Sequence, residues 1–381
     1  MNYDVIIKNG HLIDPSRKMD CLGDIHVSGG KIVEAGNENT HKQVSEVIDA
    51  EGCFVVPGLI DFHTHLFYRG TEIGTPPDLG LIPNGVTTAV DGGSTGCDNY
   101  ELFHSTIVTK SIAGIKSFIN VSPVGQPTGK YDECVDPQYY DPGKLQNLFE
   151  KYTGEILGLK LRLSRHIVGE LGIRPLVETL KLAEKLGCPI VVHPTDPPVE
   201  MEQIVSLLRK GDILTHVYHG TGSTILDDTS KVKAPVREAR KRGVIFDDAE
   251  GRFNMTFRTA KAAIADGFLP DTISSDVTIF SLYRHPVISL ANIISKYLSL
   301  GVDLNAIIEA CTYRPACLMQ MQDSIGTLKP GSNADIAIFK LIDQKSVFYD
   351  KEGMKAEGDK LFVPMATIKS GTVMYRRIDL R

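Results

Sequence analysis

Two histidines lie two residues apart at the end of an apolar segment, where they could do metal chemistry. His63 and His65 come directly after residues 58–62, whose composition predicts a β-strand. Because side chains alternate along a strand, both imidazoles point to the same face. Two imidazoles at this spacing can bind one ion of zinc, iron, manganese or nickel. Taken alone, the pair is equally compatible with two ordinary polar histidines.

A lysine lies inside another apolar segment, residues 156–162. The three leucines of that segment share one face of the predicted strand, so Lys160 and Arg162 point to the other face. If the leucines pack against helices, Lys160 enters the interior, where a buried ammonium is costly unless it is paired or deprotonated. A neutral lysine amine can take up CO₂ and become an anionic carbamate, whose two oxygens could bridge two metal ions. A lysine that pairs with a carboxylate or faces solvent is the alternative.

The elements that must position these residues repeat along the middle of the chain. Eight short apolar segments predict strands: residues 58–62, 86–90, 116–122, 156–162, 189–192, 212–215, 243–246 and 272–275. Amphipathic helical patterns lie between most of them, for example at residues 175–186, 200–210 and 257–266. Eight strand–helix repeats predict an α/β fold, a (β/α)₈ TIM barrel. An open doubly wound sheet is the alternative.

Polar residues end five of the predicted strands. Besides the His63 pair and Lys160, the fifth, sixth and eighth strands end at His193, His216 and Asp276. The active site of a (β/α)₈ barrel lies at the C-terminal ends of its strands. We therefore expect these side chains to meet at one mouth.

Composition excludes several classes of protein. The 381 residues carry a net charge of −6 and no basic stripe, so we expect no nucleic-acid partner. The seven cysteines are scattered without a C-x-x-C pair, which argues against a disulfide framework and against a cysteine zinc site. The sequence has no signal-peptide pattern, no apolar run near the ~20 residues of a membrane helix and no glycine-rich nucleotide motif. We expect a cytoplasmic protein with no membrane partner.

Two longer motifs resemble the amidohydrolase superfamily of metal-dependent hydrolases. Residues 56–65, which include both histidines of the pair, are similar to its first-strand signature. Residues 326–335 are similar to the segment where such chains re-enter a small β-domain. The resemblance implies a catalytic barrel over residues 57–320. It also implies a small β-sandwich composed of residues 1–56 and 321–381, which agrees with the short strand-like segments at both chain ends.

The resemblance further implies a binuclear metal centre. By motif position, His63, His65 and Asp276 would hold the more buried ion, and His193 and His216 the more exposed one. The lysine, Lys160, would be carboxylated and bridge two divalent ions, for which we expect zinc. A metal-bridging hydroxide would then be the nucleophile, and Asp276 the general acid and base.

Within the superfamily, the chain resembles a deacetylase-like group that is often labelled dihydroorotase-like. Residues 158–164 and 211–220 carry that similarity. Members are similar to enzymes that remove acetyl from acyloxy acids or N-acyl amino acids, so we expect a hydrolase of an ester or amide bond in a small carboxylate-bearing substrate. One position departs from the pattern, because Glu250 stands where the group usually has a histidine.

Several side chains near the strand ends are candidates for binding this substrate: Arg69, Arg162, Tyr68, His219 and His285. Arginine suits a planar carboxylate, although Arg69 could be a surface cation and Arg162 a structural partner of a carboxylate. His219 could also stabilise the oxyanion. The remaining histidines, among them His166, are interpreted as structural or solvent-facing.

Three alternatives remain open. A cyclic amide hydrolase of the dihydroorotase type favours an arginine two residues after the second histidine, where this chain has Phe67. A nucleobase deaminase favours an H-x-x-E pattern and lacks the bridging lysine, whereas here His216 is followed by His219. A non-catalytic scaffold tends to lose metal ligands that this chain retains. As partners we expect a small-molecule substrate and a second copy of the chain in a homo-oligomer.

Overall fold

Two sheets organise the chain. The structure, a computed structural model, describes residues 3–36, 44–128, 130–283 and 287–380. Strands from both chain ends form the first sheet: β1 Tyr3–Asp14, β2 Met19–Ser28, β3 Lys31–Gly36, β4 Val44–Asp49, β5 Phe54–Pro57, β14 Ile336–Tyr349, β15 Lys355–Lys369 and β16 Thr372–Arg376. The intervening strands form the second: β6 Leu59–Thr64, β7 Val86–Asp91, β8 Gly114–Asn120, β9 Ile156–Arg162, β10 Ile190–His193, β11 Ile213–Leu214, β12 Ile245–Ala249 and β13 Thr272–Ser274.

The second sheet is a parallel barrel that is nearly closed. Its strands pair in chain order from β6 to β13. The first and last strands then meet, because the Asp276 amide donates to the His63 carbonyl at 2.8 Å and the His65 amide donates to the Val277 carbonyl at 3.1 Å. This confirms the predicted (β/α)₈ barrel and overturns the open doubly wound sheet. All eight predicted strands form.

Helices surround the barrel and lie between its strands. The α-helices are α1 Pro77–Leu81, α2 Tyr100–Thr106, α3 Pro142–Lys151, α4 Arg165–Val168, α5 Arg174–Leu186, α6 Met201–Leu207, α7 Ala234–Arg242, α8 Phe257–Ala265, α9 Ile279–Leu282, α10 Leu290–Ser299, α11 Leu304–Cys311 and α12 Tyr313–Leu318. Short 3₁₀ helices cover Pro15–Arg17, Ile82–Asn84, Val108–Lys110, Pro137–Tyr139 and Gly169–Leu171.

Helix α5 shows why the sequence folds in this way. Its residues Leu176, Thr179, Leu182 and Ala183 are buried, at the three- and four-residue spacing that gives a helix one apolar face. The helix ends at Gly187, whose positive φ of 66° allows its amide to satisfy the last carbonyls. Among the described residues, no helix combines the length and the apolar character that crossing a membrane requires.

The first sheet is separate, mostly antiparallel and built from both termini. Its order is β16-β15-β14-β5-β1-β2-β3, with β4 parallel to β1. Strand β5 pairs with β14, so Val55 lies opposite Ile338 and the two chain ends share one core. The predicted small β-domain from both ends is therefore confirmed. Its exact limits, residues 1–56 and 321–381, stay a prediction.

The hairpin of β14 and β15 connects the two sheets. At the end of β14 the Tyr349 carbonyl accepts a hydrogen bond of 2.9 Å from Lys296 of helix α10. The ammonium of Lys296 also forms an ion pair with Glu250, which follows barrel strand β12. Both charged side chains are only 2% exposed. Glu250, the residue that departs from the family pattern, thus takes part in buried contacts that connect the two sheets.

We predict that Lys296→Met lowers the free energy of unfolding by about 3–5 kcal/mol, because it leaves Glu250 as a buried charge without its cation. Urea denaturation followed by circular dichroism measures the loss. The double variant Glu250→Gln/Lys296→Met serves as the control, since it removes both charges and should recover most of the stability. A double variant as unstable as Lys296→Met would show that the ion pair is not the cause.

Candidate metal centre and active-site cavity

The predicted metal ligands meet at the C-terminal end of the barrel. His63 is the second-last residue of strand β6, His65 directly follows that strand, and Asp276 lies two residues beyond β13. Asp276 Oδ1 is 3.3 Å from His65 Nε2 and 4.0 Å from His63 Nε2. One ligand atom from each residue lies within 4.8 Å of the others. Three donors at this separation can hold one metal ion.

The other three predicted ligands extend the cluster. The Lys160 ammonium, on β9, donates to His63 Nε2 at 2.9 Å. The His216 ring, two residues after β11, lies with its centroid 5.2 Å from that of His63 and 4.2 Å from that of His193, which ends β10. The structure thus brings all six predicted side chains together at one end of the barrel.

Hydrogen bonds behind His65 fix which of its nitrogens faces inward. Ser94 Oγ donates to Asp91 Oδ2 at 2.7 Å, so this hydroxyl can only accept from His65 Nδ1, 2.9 Å away. Because Nδ1 carries a proton, Nε2 is the ring nitrogen that faces Asp276. A lone pair and a carboxylate repel each other at 3.3 Å unless a positive charge, a proton or a metal ion, lies between them.

The same arrangement orients His63. Thr215 Oγ1 donates to Asp247 Oδ2 at 2.6 Å and accepts from His63 Nδ1 at 3.1 Å. Asp247 is itself held by the hydroxyls of Thr272 and Ser274, at 2.8 and 2.7 Å. This chain leaves the His63 Nε2 lone pair directed at the cluster, where Lys160 occupies it. Such outer hydrogen bonds are typical of metal-binding histidines.

A backbone carbonyl does the same for His216. Its Nδ1 donates to the Ala249 carbonyl at 2.6 Å, which leaves Nε2 as the nitrogen with a lone pair. His216 and Asp276 both adopt left-handed backbone, with φ of 53° and 48°. This conformation is uncommon for residues other than glycine and costs about 1 kcal/mol or more each. The fold therefore keeps strain at two ligand positions, as functional sites often do.

Burial keeps the imidazoles neutral. It lowers the pKa of His63 and, more strongly, that of His193, and it lowers the pKa of His216 to about 3. Neutral imidazole is the form that binds a metal ion. Histidine and aspartate are suitable ligands for a divalent cation. Such a cation would also relieve the repulsion between His65 Nε2 and the Asp276 carboxylate.

The pKa values of Lys160 and Asp276 are both lowered, but for different reasons. Burial lowers the pKa of Lys160 to about 8, which favours the neutral amine. Burial alone would raise the pKa of Asp276. In the acid range where Asp276 titrates, the hydrogen bond from His65 and the positive charges of protonated His216 and His63 outweigh that effect, so its pKa falls below the ordinary value. Asp276 is thus a carboxylate at neutral pH.

Two glycines after β7 make room for these ligands. A Cβ on Gly92 would lie 2.4 Å from the His63 ring, and one on Gly93 would lie 2.7 Å from the Lys160 stem. Neither distance is tolerable for a real side chain. The close packing therefore requires glycine at both positions.

Asn254 holds the second oxygen of Asp276. Its Nδ2 donates to Asp276 Oδ2 at 3.0 Å, and its own Oδ1 accepts from Thr195 Oγ1 at 2.9 Å. One Asp276 oxygen therefore faces the histidines while the other is tied to an amide. This fixes the rotation of the carboxylate.

A cavity of about 790 Å³ opens over the cluster. His65, Lys160, His193 and Asp276 line it, and apolar side chains such as Ile73, Phe253 and Phe280 contribute to its wall. A volume of this size fits a small organic substrate. The arrangement can hold metal ions at the base of a cavity and a substrate above them.

The predicted substrate-binding residues are placed differently from one another. Arg162 lines the cavity, where its guanidinium lies 3.5 Å from the buried Glu133. Arg69 is exposed beside the Tyr68 ring, and neither is among the lining residues that the structure describes. His219 is fully buried and is likewise outside that lining. His285 lies outside the described residues.

Sequence reasoning missed part of the site. His166, interpreted as structural or solvent-facing, lines the cavity. The residues behind the ligands were also missed: Asp91, Ser94, Thr215, Asp247 and Asn254. One signal was available, since the second predicted strand ends in a polar Asp91-Gly-Gly-Ser94 segment like the other ligand-bearing strand ends.

Comparison with known sequences gives a consistent family. The sequence model described as Amidohydrolase family matches residues 150–374. A deacetylase of Agrobacterium fabrum is 33% identical over 344 residues, which cover 90% of this chain and 84% of that protein. A deacetylase of Enterococcus faecalis is 29% identical over 376 residues, which cover 98% of this chain and 99% of that protein.

Solved structures agree on the fold and carry other names. A crystal structure of an adenine deaminase superimposes with a TM-score of 0.90 at 28% identity, covering 98% of this chain and 100% of that one. A crystal structure of a dihydroorotase gives a TM-score of 0.87 at 29% identity, covering 97% and 98%. These matches span both sheets.

We predict that Thr215→Val weakens binding of a divalent cation by about 10- to 100-fold, because it removes the hydroxyl that orients His63 without changing the side-chain shape. Competition against a chelating dye measures the affinity. Thr229→Val, an exposed threonine after strand β11, is the matched control and should leave the affinity unchanged. Equal affinities for wild type and Thr215→Val would contradict this role.

Proposed function

The chain belongs to the amidohydrolase family of metal-dependent hydrolases, and from this premise we propose that it is a deacetylase of small carboxylate-bearing substrates. It is a hydrolase that acts on carbon–nitrogen bonds. The proposed substrates are N-acyl amino acids or acyloxy acids. One observation carries the proposal: Asp276 lies between inward-facing imidazoles, under a cavity that holds a small molecule.

Six side chains would hold two divalent ions, for which we propose zinc. His63, His65 and Asp276 are the donors for one ion, and His193 and His216 for the other. Imidazole and carboxylate are the ligands that zinc uses in catalytic sites. When bound, such ions activate a water near neutral pH and polarise a carbonyl.

Lys160 would bridge the ions as a carbamate. Its amine is buried at the base of the cavity, 2.9 Å from His63 Nε2. Only a neutral amine can add CO₂, and a pKa of about 8 leaves a fraction of roughly one in ten neutral at pH 7. Carbamate formation would replace the ammonium of Lys160 by an anion. That anion would add oxygen ligands for metal ions to the cluster.

Asp276 would carry the proton through the reaction. As a carboxylate it can accept the proton of the attacking water while a bond forms to the acyl carbon. It then delivers that proton to the departing nitrogen or oxygen as the bond to the acyl carbon breaks. The amide of Asn254 keeps the carboxylate oriented throughout, because it binds the oxygen that does not face the histidines.

Arg162 is our candidate for the substrate carboxylate within the barrel. It points from strand β9 into the cavity, next to the ligand Lys160. Guanidinium pairs well with planar anions. Its contact with Glu133 is long, at 3.5 Å, and leaves capacity for a second partner.

Two rival activities have a weaker case at residue level. Dihydroorotases favour an arginine at the position of Phe67, which is 3% exposed and packs on the Phe103 ring at 5.3 Å. That position serves the core here. Nucleobase deaminases lack the bridging lysine, whereas Lys160 lies buried within the ligand cluster. Dihydroorotate and adenine therefore belong in the substrate screen as competing outcomes.

We predict that the zinc-loaded protein releases acetate from N-acetyl amino acids or acetoxy acids, and that Asp276→Asn lowers kcat by about 10²- to 10⁴-fold. The amide cannot take the proton from water. Acetate release across a substrate library measures the activity, with the exposed Asp343→Asn as the control. Faster turnover of adenine or dihydroorotate, or an active Asp276→Asn, would overturn the proposal.

We predict that Lys160→Ala lowers the metal content from about two ions per chain to one or fewer, because the bridging ligand is lost. Elemental analysis measures the content. Lys116→Ala, on the neighbouring strand β8 but exposed, is the matched control and should keep both ions. Reloading metal-free protein should also require bicarbonate. Full loading of Lys160→Ala would refute the bridging role.

A further inference from the structure

The hairpin of the small sheet contributes a lysine to the active-site cavity. Lys351 lies in the turn between β14 and β15, far in sequence from the barrel. It nevertheless lines the same cavity as His65, Lys160 and Asp276. The cavity is therefore bounded by both sheets.

Backbone contacts hold the turn at the barrel mouth. The Lys351 amide donates to the Met255 carbonyl at 3.1 Å. Asp350 Oδ2 accepts from the amide of Phe257, the first residue of helix α8, at 2.8 Å, while its Oδ1 accepts from two amides of the turn itself. The position of Lys351 is thus set by the fold and not by its own side chain.

The charge of Lys351 has no acidic partner among the residues that the structure describes. Its ammonium donates to Thr221 Oγ1, a neutral hydroxyl that also lines the cavity, at 2.8 Å. Two of its three donor positions therefore remain for another group. Arg162, our candidate for the substrate carboxylate on the barrel side, already lies beside the buried carboxylate of Glu133, so Lys351 would bind the same substrate anion as a second cation.

We infer that Lys351, together with the Thr221 hydroxyl, forms a binding subsite for an anionic group of the substrate, and so determines specificity for charged over neutral substrates. The inference rests on the proposed function in one respect, that the anionic group is a carboxylate. An ammonium and a hydroxyl side by side bind an anion with charge-assisted hydrogen bonds. Because the ammonium is exposed, the preference weakens as ionic strength rises.

Matched ligands test the subsite without relying on turnover. An N-acetyl amino acid and its carboxamide differ only in charge at the group that Lys351 would bind. We expect Lys351→Met to weaken binding of the carboxylate about tenfold, with little change for the carboxamide. Calorimetry on the Asp276→Asn protein measures both affinities, and kcat/KM on the otherwise wild-type protein should show the same selective loss.

The controls separate this subsite from general effects of charge. Lys345→Met removes a lysine from the exposed part of strand β14 and should change neither affinity. Lys351→Arg should retain the preference for the carboxylate. Lys130→Met tests the remaining lysine of the described cavity lining, besides Lys160 and Lys351. Equal losses for carboxylate and carboxamide, no loss in Lys351→Met, or a selective loss in Lys130→Met alone would overturn the inference.

The outcomes also distinguish the subsite from the proposed activity. Charge-dependent binding that requires Lys351, without release of acetate from any substrate, would overturn the deacetylase proposal and support the subsite. Acetate release with an unchanged preference in Lys351→Met would do the reverse.

Discussion

The site depends on imidazole lone pairs that are buried and directed at a common region. Each of His63, His65 and His216 uses Nδ1 to donate outward, to Thr215, Ser94 or the Ala249 carbonyl. The Nε2 lone pair of His63 accepts from the Lys160 ammonium, whereas that of His65 lies 3.3 Å from the Asp276 carboxylate, which is unfavourable without a positive charge between them. The binding of a divalent ion therefore completes a set of interactions that the protein alone leaves unbalanced.

Barrel closure brings the ligands together. The backbone amide of Asp276, from the last strand, bonds to the carbonyl of His63 on the first, so two ligand positions are joined by a main-chain contact. Left-handed backbone at His216 and Asp276 turns those side chains toward the cluster. Main-chain hydrogen bonds between the strands therefore position the side chains of the site. The strained backbone at His216 and Asp276 persists because the closed barrel leaves these residues few other conformations.

Much of this could be predicted from the sequence, because barrel strands and ligand histidines leave local signals. The apolar segments predicted all eight barrel strands, and the polar residues at their ends predicted that these side chains converge at one mouth of the barrel. The small sheet leaves weaker signals, because β4 has no continuous apolar run and the middle of β14, including Lys340 and Lys345, is exposed. Asp91, Thr215 and Asp247 are common polar residues, and only the fold shows that they support the ligands.

The contacts of Glu250 connect the barrel to the hairpin that contributes Lys351 to the cavity. Where the related group has a histidine, this chain places a carboxylate that turns away to Lys296, whose other bond holds Tyr349 at the base of the hairpin. Two residues further along that hairpin, Lys351 reaches the cavity. Glu250 is therefore not among the described residues that line the cavity, whereas Lys351 of the small sheet is. The proposed metal ligands lie at the ends of barrel strands and Lys351 lies on a hairpin, so a change at the proposed subsite would leave the proposed metal centre in place.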